Sequence, residues 1–233
     1  GSDLSSIRTS ARKVDGGWVI DGAKVWTTNA HHADYMIVLC RTSPKSEDRY
    51  AGLSQLVVPV KAEGVSVRPI VNLAGWTEFN EVRFDGAFVP DDNLLGKGGD
   101  GWRLVTEELA FERSGPDRFL STFITLKMLI EEIGRQPDSH RQAEVGRLVS
   151  RLVTVRSLSL SIADMLESGR PVMRAATMMK DMGTRLEQEI PEVARRLASS
   201  MPSPDGDALS RNLANAILNT PAFTIRGGTR EIL

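Results

Sequence analysis

The chain has 233 residues, 41% of them hydrophobic and 25% charged, with a formal net charge of -1. These are the proportions of one or two folded domains and exclude a disordered chain. Lysine and arginine are spread along the sequence, which argues against a nucleic-acid or anionic-membrane surface, and no run nears the roughly 18 apolar residues of a membrane span.

The one cysteine, Cys40, excludes an internal disulfide and fits a reducing, cytoplasmic setting. Up to about residue 97 the pattern predicts strands. Short β-branched and aromatic runs lie at 18–20, 23–28, 34–40, 53–60, 65–70 and 79–84, with Asp15-Gly16-Gly17, Asp21-Gly22 and Asp85-Gly86 as turns. With no helix-length pattern between them, they argue for an antiparallel β-barrel or sandwich. His31 and His32 have no Cys or carboxylate at ligand spacing and read as turn residues, not metal ligands.

At Gly96-Lys97-Gly98-Gly99-Asp100-Gly101 the character changes. The stretch lacks the Gly-Lys-Ser/Thr ending of a phosphate loop and reads as a flexible joint before a helix. Beyond it the periodicity is helical. One helix is expected over 102–133, kinked at Gly115-Pro116. A second carries Val145, Leu148, Val149, Leu152, Val153, Ile162 and Leu166 on one face. A third, over 172–197, turns Met179, Leu186, Ile190 and Leu197 inward and bends at Pro191; a short one over 208–218 buries Leu209, Leu213 and Ile217. Met173, Met178, Met179 and Met182 read as core filling. The expectation is an α+β multidomain chain: a β-domain over 1–97 and an antiparallel four-helix bundle over 98–233.

Two stretches hold candidate chemistry. Val105, Leu109 and Glu112 share one side of the first helix, so a carboxylate continues an apolar stripe. Burial there would raise its pKa toward that of a general base; the plain alternative is a carboxylate at the edge of the stripe, paired with a neighbouring Arg. Near the end, Arg226-Gly227-Gly228-Thr229-Arg230-Glu231 places two glycines before an apparent helix start. Close backbone approach to an anionic or carbonyl ligand and an ordinary N-cap at Thr229 both account for it.

Four separated stretches together resemble the acyl-CoA dehydrogenase family: Gly1-Ser2-Asp3, Gly22-Ala23-Lys24-Val25-Trp26-Thr27-Thr28-Asn29, Val82-Arg83-Phe84-Asp85-Gly86-Ala87-Phe88-Val89-Pro90 with Asn93-Leu94-Leu95-Gly96, and Gly227-Gly228-Thr229-Arg230-Glu231-Ile232. The resemblance implies the family's middle β-domain and C-terminal helical bundle. The N-terminal helical domain and the end of the bundle are expected to lie outside the chain.

By resemblance, FAD is the cofactor. Thr28 hydrogen-bonds the flavin near N5, Trp26 lies against its ring system, Ser2 reaches the pyrophosphate, and Gly228 and Thr229 complete the cofactor contacts. Most of the family carries its catalytic Glu at the position of Gly227; a minority places it on the first bundle helix directly before an Arg, as Glu112-Arg113 does. The implied reaction is α,β-dehydrogenation of an acyl-CoA. Glu112 takes the α-proton, the Gly227 amide with a ribityl hydroxyl holds the thioester oxygen, Arg113 contacts substrate, and a β-hydride goes to flavin N5, with electrons passing to an electron-transfer flavoprotein. A bulky, branched or polycyclic acyl group is the expectation that this resemblance attaches to the placement of the base. The expected assembly is a homo- or hetero-oligomeric tetramer; the Arg-x-x-Phe-Gly motif of homotetramers is missing around Gly134-Arg135-Gln136-Pro137, which favours an α2β2 assembly with a different subunit. A non-catalytic partner subunit, an oxygen-reactive oxidase or monooxygenase, and a flavin-free binding module are the alternatives.

Overall fold

A computed structural model describes residues 3–135 and 137–232. Two compact units divide them, one over 3–107 and the other over 108–232.

The first unit is one seven-stranded sheet built from β1 (Ser10–Val14), β2 (Gly17–Thr28), β3 (Tyr35–Arg41), β4 (Leu53–Pro59), β5 (Val65–Ile70), β6 (Phe79–Pro90) and β7 (Leu94–Leu95). Their order is β5-β6-β2-β1-β3-β4-β7. All pairings are antiparallel except that of β1 with β3, which is parallel. Alternation selects the core: Val82, Phe84, Ala87 and Val89 of β6 point inward and pack with Ile20, Val38, Leu56 and Val58. Strand β1 escaped the sequence pattern because it offers one buried apolar side chain, Ala11.

Two predicted turns are corrected. Asp21-Gly22 and Asp85-Gly86 lie inside continuous strands, where the pairing of β2 with β6 shifts register and Asp21 faces both Asp85 and Gly86. The arrangement is a bulge, closed by the Gly86 amide donating to Asp21 Oδ1 at 2.9 Å. Gly22 is required there: its φ is +131° and a Cβ would lie 2.8 Å from Thr9 Cα.

Helix α1 (Gly101–Ser114) begins in the first unit and ends in the second; α2 (Phe123–Ile133), α3 (Ser139–Glu167), α4 (Met173–Leu197) and α5 (Ala208–Asn219) follow. Among the described residues the helical part therefore has five α-helices where four were expected. The long first helix is broken, not kinked: Pro116 cannot donate an amide, and a 3-10 turn over Pro116–Arg118 separates α1 from α2. Pro191, by contrast, sits buried within an uninterrupted α4. Asp138 and Asp207 cap α3 and α5, accepting from the Arg141 and Ser210 amides at 2.9 and 2.8 Å. Of the Met cluster only Met179 is fully buried; Met173 and Met178 are exposed, so core filling holds for the inner part alone. No helix among the described residues is long and apolar enough to cross a membrane.

The glycine-rich joint is anchored in the first unit. A Cβ on Gly101 would lie 2.7 Å from the Leu53 carbonyl carbon, while Gly98 faces open space. Gly101→Ala is expected to lower stability by about 2 kcal/mol, since backbone must move to admit the methyl. Gly98→Ala should leave the urea midpoint where it is.

Candidate active site

The C-terminal end of α1 carries Glu112 and Arg113, and the segment after α5 runs through a 3-10 turn, Thr220–Ile225, into Arg226, Gly227 and Gly228. Both glycines take left-handed φ values, +62° and +98°, which side-chain-bearing residues adopt at a cost. This strap packs on α1: a side chain at Gly227 would begin 3.6 Å from Glu112 Oε1 and 3.4 Å from Arg113 Cγ.

Glu112 is half-buried, and so are Val105 and Leu109 of the expected stripe; the fully buried residues on this part of α1 are Ala110 and Ser114. Its side chain is 38% exposed, and Oε1 is paired with the Arg118 guanidinium, itself 7% exposed. Arg118 also donates through Nε to the Glu112 carbonyl at 2.9 Å. The Arg contact of the plain reading is thus present, and it fixes the carboxyl group while Oε2 has no protein partner among the described residues. Arg113 turns to the strap: Nε donates to the Gly227 carbonyl at 2.8 Å, and Nη1 to Thr177 Oγ1 at 3.2 Å and Met173 Sδ at 3.4 Å.

Sequence reasoning missed the floor of this site. Lys180 and Glu187 of α4 are both 0% exposed. They lie seven apart on the face that carries Ala176, Gly183, Ile190 and Leu197, so heptad spacing would have found them. Lys180 Nζ donates to the carbonyls of Thr224 at 2.6 Å and Gly228 at 2.8 Å. Glu187 accepts from the Ser121 amide at 2.8 Å and pairs with Arg226. Arg230 pairs with Asp181 at 2.7 Å. The strap is therefore held by charge-assisted hydrogen bonds. Thr229 precedes a 3-10 turn over Arg230–Ile232 and accepts from the Ile232 amide at 3.2 Å.

Burial pushes the Lys180 ammonium down to about 8; Asp181 opposes this and the nearby Arg113, Arg118 and Arg226 add to it. The unfolded chain, with an ordinary lysine, binds more protons between this value and the usual one of 10.5, so stability should rise with pH across that window. Below it the cost of the buried charge is fully present. Denaturation midpoints of the parent should climb by up to about 3 kcal/mol in equivalent stability, and Lys180→Met should remove that part of the slope.

In the sheet unit, Trp26 sits at the second register shift between β2 and β6 with φ +63°, a conformation uncommon for a bulky residue. Its ring is 59% exposed and meets Phe79 edge-on at 6.1 Å. Val25 and Thr28 beside it are exposed too. A flat apolar ring next to a hydroxyl at a strand end suits a planar aromatic cofactor. Ser2 lies outside the described residues. His31 and His32 occupy a turn, and no group of metal-ligating residues occurs among those described.

A β-sheet unit followed by a helical unit is the fold of the middle and C-terminal parts of acyl-CoA dehydrogenases. Residues 1–87 match the family model "Acyl-CoA dehydrogenase, middle domain". The whole chain is similar, at 34% identity, to acyl-CoA dehydrogenase FadE34 of Mycobacterium tuberculosis, of which it spans 32%. It aligns over its full length with a variant of the Tcur3481-Tcur3483 steroid ACAD, at 25% identity and TM-score 0.87, and with the ChsE4-ChsE5 complex of Mycobacterium tuberculosis, at 26% and 0.80, covering 63% of each of those chains. The chain belongs to the acyl-CoA dehydrogenase family, whose members are flavin-dependent.

Proposed function

We propose that the protein bearing this chain is an FAD-dependent acyl-CoA dehydrogenase in which Glu112 removes the α-proton of the thioester. The observation that supports this most is the meeting of Glu112 with Gly227, since the carboxyl group occupies space beside the position where most of the family carries its catalytic Glu.

The α-proton of a thioester is weakly acidic, so its removal needs a fixed base and a donor for the oxygen that gains charge. Arg118 fixes the base through Oε1, leaving Oε2 to take the proton. The Gly227 amide has no acceptor among the described residues and serves as the donor. Arg113, assigned to substrate on resemblance, acts here by holding the Gly227 carbonyl. Trp26 and Thr28 of the sheet unit would hold the flavin ring of FAD, which when bound would supply the two-electron acceptor for the β-hydride. An electron-transfer flavoprotein is the proposed onward acceptor.

The acyl group is bulky or polycyclic and the assembly a tetramer with a different subunit; a relative named as a steroid ACAD and another solved as a two-component complex support both readings. A single buried thiol, Cys40, suits a cytoplasmic enzyme. Anaerobic titration of the full-length protein with a panel of acyl-CoA thioesters should bleach the flavin with its substrate class. Rapid reoxidation of the bleached flavin in air would instead identify an oxidase.

A further inference from the structure

Lys180 has no part in the chemistry above, yet it is a fully buried cation directly beneath the strap. An ammonium is costly to bury and stays buried only where its hydrogen bonds repay that cost. Here they go to the carbonyls of Thr224 and Gly228, which bracket Gly227. Arg113 takes the Gly227 carbonyl itself. With these three carbonyls drawn down, the strap cannot turn over without breaking three charge-assisted hydrogen bonds, and the Gly227 amide is left without a protein acceptor among the described residues. Two adjacent glycines at left-handed φ have little stiffness of their own, so the hold must come from outside the strap.

The geometry points to Lys180 as a positioning residue that keeps the Thr224–Gly228 strap in the one conformation in which the Gly227 amide stands free beside Glu112. It acts through the amide and touches neither substrate nor cofactor. The inference rests on the proposed reaction, and the test separates the two.

The probe is 3,3-dimethylbutyryl-CoA, which has α-hydrogens but no β-hydrogen, so proton abstraction can be followed without hydride transfer. In the flavin-loaded full-length protein, α-hydrogen exchange into deuterated water is read by mass spectrometry and probe affinity by calorimetry. Lys180→Met should slow exchange by roughly 10- to 100-fold, less than the roughly 10²–10³ lost when an oxyanion donor is removed outright, with affinity nearly unchanged, and Lys180→Arg should recover part of the rate. Lys180→Gln, which keeps a donor, serves with the same expectation if the Met variant does not fold. Exchange at the parent rate in the Met or Gln variant while Glu112→Gln is silent overturns the role of Lys180 alone. So does a loss of rate matched by an equal loss of affinity, which marks general loosening. Parent-rate exchange in Glu112→Gln overturns the proposed reaction and this inference with it.

Discussion

Glu112→Gln is expected to abolish turnover while leaving flavin content unchanged. The amide oxygen of Gln accepts from Arg118 as Oε1 does, so the side chain keeps its place, but the amide nitrogen that replaces Oε2 cannot take a proton. General bases contribute on the order of 10²–10⁴ in rate, and a variant without one should lose about that much. The measurement is steady-state turnover together with anaerobic bleaching by substrate. Bleaching at the parent rate would reject Glu112 as the base. Glu112→Asp keeps the charge but withdraws the carboxyl group by one methylene, and should fall between the two.

The second large effect belongs to Glu187. Its two oxygens satisfy the Ser121 amide and the Arg226 guanidinium, with Glu187 entirely out of contact with solvent. Truncation to Ala leaves the Ser121 amide unpaired and the Arg226 guanidinium with only its longer contacts to the Asp117 carbonyl and Ser121 hydroxyl, at 3.4 and 3.3 Å, and opens a void as well. A broken buried pair of this kind costs about 3–5 kcal/mol. The helical signal in far-ultraviolet dichroism should show a markedly lower denaturant midpoint for Glu187→Ala and a smaller change for Glu187→Gln, which preserves shape. Glu131→Ala is the comparison: its pairing with Lys127 is long, at 3.8 Å, and exposed on both sides, so the midpoint should not move.

Long amphipathic stretches were legible from periodicity alone. Helix α4 appears within one residue of its expected span, with Met179, Leu186, Ile190 and Leu197 inward as expected. The Asp-Gly pairs were misread because a bulge and a hairpin turn ask the same local chemistry of Gly, and only the partner strand decides between them. Lys180 and Glu187 were hidden for a related reason. A charged side chain in a helical pattern is ordinarily assigned to solvent, and the groups that make burial tolerable here lie 44 and 48 residues away for Lys180 and 39 and 66 for Glu187. Glu112 was singled out from its stripe and an Arg partner was among the readings, but that the partner is Arg118 was invisible until the helix was known to break, because Arg118 comes from the turn that replaced the expected kink.

The strap also bears on how the bundle is assembled in time. Arg113 and the Gly227 carbonyl are separated by 114 positions along the chain, and closing so wide a loop is an entropic barrier that local helix formation does not share. The helices have reason to collapse first and the strap to dock afterwards. A refolding bundle should therefore regain its helical content before it gains competence for proton transfer, and the interval between the two is the lifetime of a folded but catalytically idle molecule.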